Sequence, residues 1–440
     1  MSAVKLNFNN ITGKIKPMHA VNNGPKRATK EQSRGNFDTF AELKIPYVRN
    51  HDASFCAAYG GEHTVDVHAI FPDFNKNPYD PASYDFALTD DYTQTIIDAG
   101  SKVFYRLGSK IEHWRKKYGT IVPADFYKWA VICEHIIMHY NEGWADGFHH
   151  NIEYWEIWNE PEGISQTGDT PNWSGTFEQF YDFYEEVSLH LKKRFPKLKI
   201  GGPAVTSAYT QPFMDGFAKA LTKNDRKLPL DFYSYHSYTT DPYEIGRSAQ
   251  EARKYLDDIG YTETELILNE WNYVENWTEK FVDSILAIIG MRGAAFTAAC
   301  MSIAQKSPLD MFMYYDARID TAFNGLFDLY TLRPLHTYYV FKMFSDLYEI
   351  HNEAESVSDD REIFVTAASN GKQKAAMITY YSKNKESNAK IVTIEGLCDG
   401  EWKMKILNSG NVMKDNILFV DNGKAEIQLA NETVIYAYSN

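Results

Sequence analysis

The chain has 440 residues, a formal net charge of −14 at pH 7 and 15% aromatic residues. The negative charge excludes nucleic acid as the expected partner, because binding to phosphates needs a basic surface. The length exceeds what one small core requires and predicts a large domain accompanied by a smaller one.

Apolar runs typical of buried strands alternate with amphipathic stretches over the first three quarters of the chain. Strands are predicted at residues 15–20, 45–50, 102–107, 152–159, 198–202, 231–236, 265–269 and 310–315. Helices are predicted at residues 30–43, 88–99, 123–140, 177–191, 211–221, 244–259, 280–304 and 335–347. Eight such units predict a (β/α)8 TIM barrel of the α/β class. A doubly wound open sheet is the alternative, but no GxGxxG or GxxxxGKS/T phosphate loop supports it.

The pattern changes to short alternating runs near residue 347. These runs predict strands at residues 363–368, 374–381, 389–394, 402–407, 417–420, 424–429 and 433–438, several of them separated by glycine turns. They predict a C-terminal antiparallel β-sandwich domain over residues 347–440. The N-terminal segment 1–14 is expected to add one more strand to it, so that the barrel spans residues 15–346.

Two of the predicted strands end in the dipeptide Asn-Glu. Glu160 ends the fourth strand and Glu270 the seventh, about 110 residues later. Because carboxyl ends of barrel strands meet at one face, both carboxyl groups are expected to point at one site. Two facing carboxylates are the groups that cleave a glycosidic bond. Either glutamate alone could instead be salt-bridged at a strand end, but the pair at this spacing favours catalysis.

The surroundings of the two glutamates suggest different roles. Trp155, Trp158 and Pro161 are expected to surround Glu160 with apolar groups and raise its pKa, as a general acid requires. Glu270 is then the expected nucleophile. A retaining enzyme of this kind holds its two carboxyl groups about 5–5.5 Å apart, and an inverting enzyme holds them farther apart.

The motif Trp158-Asn159-Glu160-Pro161 and the later strand-end glutamate resemble the pattern of glycoside hydrolase clan A. Within that clan the chain resembles glycoside hydrolase family 39, the family of β-xylosidases and α-L-iduronidases. The further matching segments are residues 48–51 (Val-Arg-Asn-His), 201–204 (Gly-Gly-Pro-Ala) and 231–238 (Asp-Phe-Tyr-Ser-Tyr-His-Ser-Tyr). The resemblance covers roughly residues 15–345, and a C-terminal β domain is usual in the family.

The resemblance also implies roles for residues beside the two glutamates. Asn159 would hold the sugar 2-hydroxyl, while Arg49 and His51 would line the subsite for the terminal sugar. His236 and Tyr238 would lie near the nucleophile, with Tyr238 donating a hydrogen bond that keeps Glu270 ionised. Arg49 could equally be a buried counter-ion, and a cation beside Glu270 would lower the pKa of its carboxyl.

The chain departs from the clan pattern where relatives place a sugar-stacking tryptophan. Its eighth strand carries Tyr315 at that point, and Trp271 follows the nucleophile. Both are candidate substrate contacts. This departure leaves the sugar open, because the family also acts on arabinose-containing glycans.

These features together predict a retaining, exo-acting glycosidase for xylose- or arabinose-containing oligosaccharides, with no cofactor. The long segment 51–86 is expected to close a pocket over the site, whereas an endo-acting clan A glycanase would need an open groove. A non-catalytic carbohydrate-binding relative is the third alternative, although both carboxyl positions are intact. No metal site is expected, because His135 and His139 have a ligand-like spacing but lack a HExxH motif.

The remaining features concern location. No basic and apolar leader precedes the first strand, and the four cysteines show no paired spacing, so a cytoplasmic protein with reduced thiols is expected. Residues 284–304 are long and apolar enough to suggest a membrane span, but Arg292 near their centre argues against it. The oligomeric state stays open, a homo-oligomer included.

Overall fold

A parallel barrel and a second β domain make up the part of the chain that the structure describes. The computed structural model describes residues 2–30, 33–51, 64–109, 120–163, 172–319 and 321–439, the side chain of residue 225 excepted. Eight strands close into a barrel, and nine others form one sheet. The predicted fold class, a TIM barrel with a C-terminal antiparallel β domain, is confirmed.

Strand β1 (Ser2–Lys14) belongs to the second sheet, and the barrel follows it along the chain. The barrel strands are β2 (Ala20–Asn22), β3 (Tyr47–Asn50), β4 (Lys102–Leu107), β5 (Tyr154–Ile157), β6 (Lys199–Val205), β7 (Phe232–Thr239), β8 (Glu265–Tyr273) and β9 (Met311–Tyr314). Each pairs in parallel with its neighbours, and β9 closes the ring on β2. The first barrel strand lies later than the predicted 15–20, which contains Pro17, a residue without a backbone donor.

The helices described are α1 (Phe37–Ala41), α2 (Val67–Ile70), α3 (Ala87–Asp98), α4 (Phe126–Glu142), α5 (Phe177–Arg194), α6 (Phe213–Leu221), α7 (Pro242–Asp258), α8 (Phe281–Ile289), α9 (Met291–Gln305) and α10 (His336–Ile350). Local sequence fixes several of their ends. Helix α5 begins with a capping box in which Thr176 and Gln179 each satisfy the other's backbone N–H. Helix α4 begins at the cap Asp125 and ends at Gly143, whose left-handed backbone suits glycine.

The helix predicted over residues 280–304 is two helices, α8 and α9, with an 80° bend between them. A side chain at Gly293 would lie 2.5 Å from the carbonyl oxygen of Ala287, so the close crossing requires glycine here. In the described ranges, only this bent pair taken together has the length and apolar composition of a membrane span, and no single helix has them.

The second domain is a nine-stranded sheet in which β1 lies between two C-terminal strands. Its other strands are β10 (Asn352–Ser358), β11 (Ile363–Ser369), β12 (Lys374–Tyr380), β13 (Lys390–Glu395), β14 (Gly400–Asn408), β15 (Asn411–Val420), β16 (Lys424–Leu429) and β17 (Thr433–Ser439). All neighbours are antiparallel except β1 and β13, which run parallel. Strand β10 was not predicted, because its sequence is too polar to show an apolar alternation. Its pairing with β1 and β11 stabilises it instead.

The barrel interior has an apolar layer below a polar one. The apolar layer consists of Ala20, Phe104, Tyr154, Phe232, Ile267, Met311 and Met313. Closer to the carboxyl ends of the strands, the buried Glu156 accepts hydrogen bonds from Ser234 Oγ at 2.6 Å and Asn269 Nδ2 at 2.5 Å. Polar side chains buried in this way need partners, and these strands supply them to one another. The polar layer forms the floor of the site described next.

Candidate active site

Glu160 lies just beyond β5, where the chain leaves the barrel. The backbone of both Trp158 and Glu160 is left-handed, with φ of 72° and 47°, and the amide of Glu160 donates to the carbonyl of Ala204 at 2.9 Å. The Glu160 carboxyl lies 2.7 Å from His236 Nδ1 and accepts from Asn172 Nδ2 at 3.1 Å. Its side chain is 20% exposed, so a ligand can reach it.

Glu270 reaches the barrel interior because of a bulge in β8. Leu268 pairs with Tyr235 on β7, yet Glu270 pairs with the very next residue, His236, so that Asn269 is the extra residue. Side chains alternate between the two faces of a strand, and a bulge shifts that alternation by one. Asn269 and Glu270 therefore both point inward, the first to Glu156 and the second to the mouth of the barrel.

Arg49 on β3 joins most of the site into one network. It is fully buried, and its guanidinium donates to four acceptors, Glu156 at 2.7 Å, Asn22 at 3.0 Å, Glu270 at 2.8 Å and Asn159 at 2.6 Å. Burial lowers the pKa of Arg49, but the two carboxylates outweigh it and the net shift is upward. The guanidinium is thus a fixed cation beside Glu270, and its fork orients Asn159 as well.

The Glu270 carboxyl has further polar neighbours on both oxygens. The hydroxyl of Tyr238 donates to Oε2 at 3.0 Å, and His51 Nε2 lies 3.1 Å from Oε1. His236 Nε2 lies 3.5 Å from Oε1. A carboxylate oxygen of Glu160, a ring nitrogen of His236 and a carboxylate oxygen of Glu270 all lie within 4.8 Å of one another. His236 therefore stands between the two carboxyl groups.

Burial dominates the proton affinities here. It raises the pKa of Glu270 above its ordinary value, against the lowering effects of a charged His236 and of Arg49. It also lowers the pKa of His236 to about 4, so this imidazole is neutral near pH 7 and Arg49 is the cation that keeps Glu270 ionised. Arg49 lowers the pKa of Glu270 as expected, but the cost of removing a carboxylate from water is larger, so the net shift is upward.

The structure brings nearly all of the predicted site residues together. Glu160, Glu270, Asn159, Arg49, His51, His236 and Tyr238 form the contacts described above. Tyr315 lies beside them, with its ring centroid 6.2 Å from that of His51 and 6.4 Å from that of Tyr238. Phe323 and Trp277 extend these rings into an aromatic wall beside Glu270.

Trp271 is not part of the site, and its prediction as a substrate contact is wrong. Its ring is fully buried and stacks on Phe312 with centroids 4.0 Å apart, and Phe296 of α9 packs beside it. It follows Glu270 on β8, and the side chain after an inward-pointing residue points outward. Trp271 therefore packs between the barrel and its helices.

The apolar surroundings predicted for Glu160 are also wrong. Trp155 stacks on Tyr105, with centroids 4.9 Å apart, and Trp158 packs against Trp173 in the hydrophobic core. The described partners of the Glu160 carboxyl are a histidine and an asparagine. The two indole rings therefore pack in the core and do not surround the Glu160 carboxyl.

Several residues of the site were missed in the sequence, among them Glu156, Asn22, Asn172, Trp277 and Phe323. Glu156 carried a signal, since a charge inside an apolar strand needs a buried partner. Asn22 and Asn172 carried none, because no local pattern signals their contacts with Arg49 and Glu160, which lie 27 and 12 positions away. Trp277, which is 47% exposed, lies in the turn after β8, and its ring centroid is 5.0 Å from that of Tyr238.

The segment predicted to close over the site, residues 51–86, is described in part. Residues 52–63 lie outside the described residues. Arg106 on β4 holds the two ends of the undescribed stretch, because its Nη2 donates to the carbonyl of His51 at 2.6 Å and also pairs with Asp66. This buried pair fixes the backbone of His51 next to Glu270.

Glu160, His236 and Glu270 also have the donor atoms of a metal site. The guanidinium of Arg49 already lies 2.8 Å from Glu270, and a second cation at that carboxylate would be repelled. The arrangement suits a neutral ligand that can accept a proton from one carboxyl and an electron pair from the other.

The fold and the site define a class of protein, an α/β barrel with two facing carboxyl groups at the carboxyl ends of its fourth and seventh strands. Within this class, the chain belongs to glycosyl hydrolase family 39, because the model of "Glycosyl hydrolases family 39" matches residues 63–391. The resemblance inferred from the sequence motifs is confirmed.

Two curated relatives are both β-xylosidases. The enzyme of Caldicellulosiruptor saccharolyticus is 27% identical over 213 residues, which cover 46% of this chain and 38% of that protein. The enzyme of Geobacillus stearothermophilus is 22% identical over 169 residues, which cover 36% of this chain and 31% of that protein. The matched part thus spans about a third of either relative's length. The structure of a glucosidase from Croceicoccus marinus is 21% identical to this chain. The match covers 100% of this chain and 98% of the glucosidase with a TM-score of 0.78, which shows a similar fold.

Proposed function

We propose that the protein is a retaining glycoside hydrolase in which Glu160 is the acid/base and Glu270 the nucleophile. The observation that carries this is the facing pair itself, with a ligating oxygen of each carboxyl within 4.8 Å of the other. Retaining enzymes hold these groups about 5–5.5 Å apart, whereas inverting enzymes leave about 6.5–9.5 Å for a water molecule. Membership of family 39 supports the same reaction.

In the first step, a Glu270 oxygen forms a bond to the anomeric carbon as the bond from that carbon to the leaving oxygen breaks. The proton of Glu160 moves to the leaving oxygen, so the aglycone departs as a neutral alcohol. In the second step, Glu160 takes a proton from water, the water oxygen bonds to the anomeric carbon, and Glu270 leaves as a carboxylate. Two inversions give net retention.

His236 links the protonation of the two carboxyls. It is neutral near pH 7, because burial lowers its pKa to about 4, so one ring nitrogen carries a proton and the other does not. In the tautomer with the ring proton on Nε2, which lies 3.5 Å from Glu270, Nδ1 accepts the Glu160 proton at 2.7 Å until a substrate leaving oxygen takes its place. This tautomer suits the starting state of the reaction.

Asn159 is the best-placed donor for a sugar hydroxyl. Its Oδ1 accepts from Arg49, which fixes the orientation of the amide. Its Nδ2 is buried, and among the described residues it has no hydrogen-bond partner. A buried donor without a partner is costly unless a ligand supplies the acceptor. The 2-hydroxyl of a sugar at Glu270 is that acceptor in the proposed complex.

We further propose exo-action on short xylose- or arabinose-containing oligosaccharides. The two relatives named as β-xylosidases support a pentose. The aromatic wall of Tyr238, Tyr315, Phe323 and Trp277 offers ring faces to the apolar face of a sugar. The Arg106 anchor of segment 51–86 next to His51 supports a pocket closed on one side.

A panel of nitrophenyl glycosides tests the proposal. It should contain the β-D-xyloside, both α-L-arabinosides, the β-D-glucoside and the β-D-galactoside, and a xylan tests endo-action. We expect turnover of at least one pentoside, and proton NMR should show a first-formed sugar of the same anomeric configuration as the substrate. An inverted product would contradict the double displacement, and release of long fragments from xylan would favour the endo-acting alternative. If no glycoside is hydrolysed, the proposed activity is wrong.

A further inference from the structure

The segment that carries Glu160 is attached to the end of β6 at two points. The Glu160 amide donates to the carbonyl of Ala204, and two residues later Glu162 Oε1 accepts from both the amide and the hydroxyl of Thr206, at 2.5 and 2.9 Å. Between these points Glu160 has a left-handed backbone, with φ of 47°. A non-glycine residue adopts this conformation only where its surroundings hold it.

Glu162 is a buried carboxyl whose bonding is incomplete. It is 7% exposed, and its Oε2 has no hydrogen-bond partner among the described residues. Among the described residues, the ionisable groups that act on it are Glu160 on its own segment, Tyr181 on α5 and Tyr233 on β7. None of these becomes a cation, so none of them offsets the cost of a buried negative charge.

We propose that Glu162 is a positioning residue for Glu160, which holds the acid/base segment on β6 and places a second ionisable carboxyl beside it. This inference rests on the proposed role of Glu160. It assigns Glu162 a function through Glu160 and no contact with the substrate.

The second carboxyl has a consequence for the pH range of activity. Burial raises the pKa of Glu162 to about 7, with the Glu160 carboxylate adding to the rise, while the donors of Thr206 lower it. Near neutral pH, therefore, Glu162 gains a negative charge in the range where Glu160 must keep its proton. A neighbouring anion makes loss of that proton harder. Glu162 thus extends the alkaline limb of activity to higher pH.

Glu162→Gln separates charge from attachment, since an amide oxygen can still accept from Thr206. We expect its alkaline limb of kcat/KM on a nitrophenyl glycoside to move to lower pH by about 0.3–1 unit, the size of a partly screened charge interaction. The acid limb should stay in place. Glu178→Gln is the matched control, because it removes an exposed carboxylate at the start of α5, and its profile should match that of the native chain.

Glu162→Ala removes the attachment as well. Activity on a glycoside with a poor leaving group should fall about 10-fold or more relative to a dinitrophenyl glycoside, because only the former needs the acid. A variant that only destabilised the fold would lower the activity on the two kinds of glycoside equally. The inference is overturned if the Glu162→Gln profile superimposes on the native one, or if Glu162→Ala affects all leaving groups alike.

A titration independent of turnover keeps this test apart from that of the proposed function. Carbon NMR of protein labelled at the glutamate carboxyls, with Glu160 assigned from Glu160→Gln, gives the pKa of Glu160 directly. We expect a lower value in Glu162→Gln than in the native chain. If no glycoside is hydrolysed but this shift appears, the proposed function fails and the coupling stands; an unchanged Glu160 titration contradicts the coupling.

Discussion

Arg49 Nη1 donates to Glu270 Oε1 at 2.8 Å, while Nη2 of the same guanidinium donates to Asn159 Oδ1 at 2.6 Å. One buried cation therefore sets both the charge beside the proposed nucleophile and the direction of the amide expected to hold the sugar. A lysine cannot make both contacts, because its ammonium lacks the planar fork.

Arg49→Lys should lower kcat/KM by about 100-fold or more, the scale on which a misplaced catalytic group costs rate. The acid limb of the pH profile should move upward by about 1 unit. The sign follows from Glu270, whose pKa is already raised by burial, since a weaker cation raises it further and the carboxyl ionises only at higher pH. Arg253→Lys is the control, because the Arg253 guanidinium also donates to two acceptors, the carbonyls of Thr264 and Tyr261, but lies away from the site. An unmoved acid limb in Arg49→Lys would contradict this account of Glu270.

His19 should make the protein less stable in acid. Its ring is fully buried beside Phe344 and Tyr348, and burial lowers its pKa from 6.5 to about 3. Below pH 6.5 the unfolded chain binds a proton at His19 and the folded chain does not. His19 therefore costs no free energy of unfolding above pH 6.5, and the cost grows as the pH falls towards 3. At pH 5 the cost is about 2 kcal/mol.

Urea unfolding of the native chain and of His19→Phe at pH 7.5 and pH 5 measures this effect. Phenylalanine keeps the aromatic packing but does not titrate. The native chain should lose more free energy of unfolding between the two pH values than the variant does, and equal losses would show that His19 does not titrate between the two states.

Arg292 should stabilise the contact between the barrel and the second domain. It lies on α9, and its guanidinium donates to Glu432 at 2.8 Å and to the carbonyls of Ser382 and Lys383. Arg292→Met should cost about 2–4 kcal/mol, because charge-assisted bonds of a buried group are lost. Arg247→Met removes exposed ion pairs on α7 and should cost less than about 1 kcal/mol. If both variants had comparable melting temperatures, the buried Arg292 contact would stabilise the protein no more than the exposed ion pairs of Arg247 do.

The sequence predicted the barrel because its strands and helices show strong periodicity, and the Asn-Glu strand ends located both carboxyls. It did not predict the bulge at Asn269, which no local pattern signals and which turns Asn269 and Glu270 inward together. Trp271 was misplaced although the alternation of a strand forces it outward once Glu270 points inward. Strand β10 was missed because its sequence is polar and the pairing with β1 that stabilises it joins residues about 350 positions apart.

The partners of Glu160 show a similar limit. Its neighbours in sequence, Trp155 and Trp158, pack in the core, while its carboxyl contacts Asn172, 12 positions later, and His236 on β7. A short polar motif identifies the reacting group, but the charges and hydrogen bonds around that group depend on contacts that only the folded chain creates.

The most direct test of the central claim is the configuration of the product formed with azide. In Glu270→Ala no covalent intermediate forms, so azide should enter the vacated space and give a glycosyl azide of inverted configuration. In Glu160→Ala the intermediate on Glu270 still forms from a dinitrophenyl glycoside, and azide should attack it to give the retained configuration. Opposite configurations from the two variants are the predicted result. The same configuration from both would contradict the roles assigned to Glu160 and Glu270.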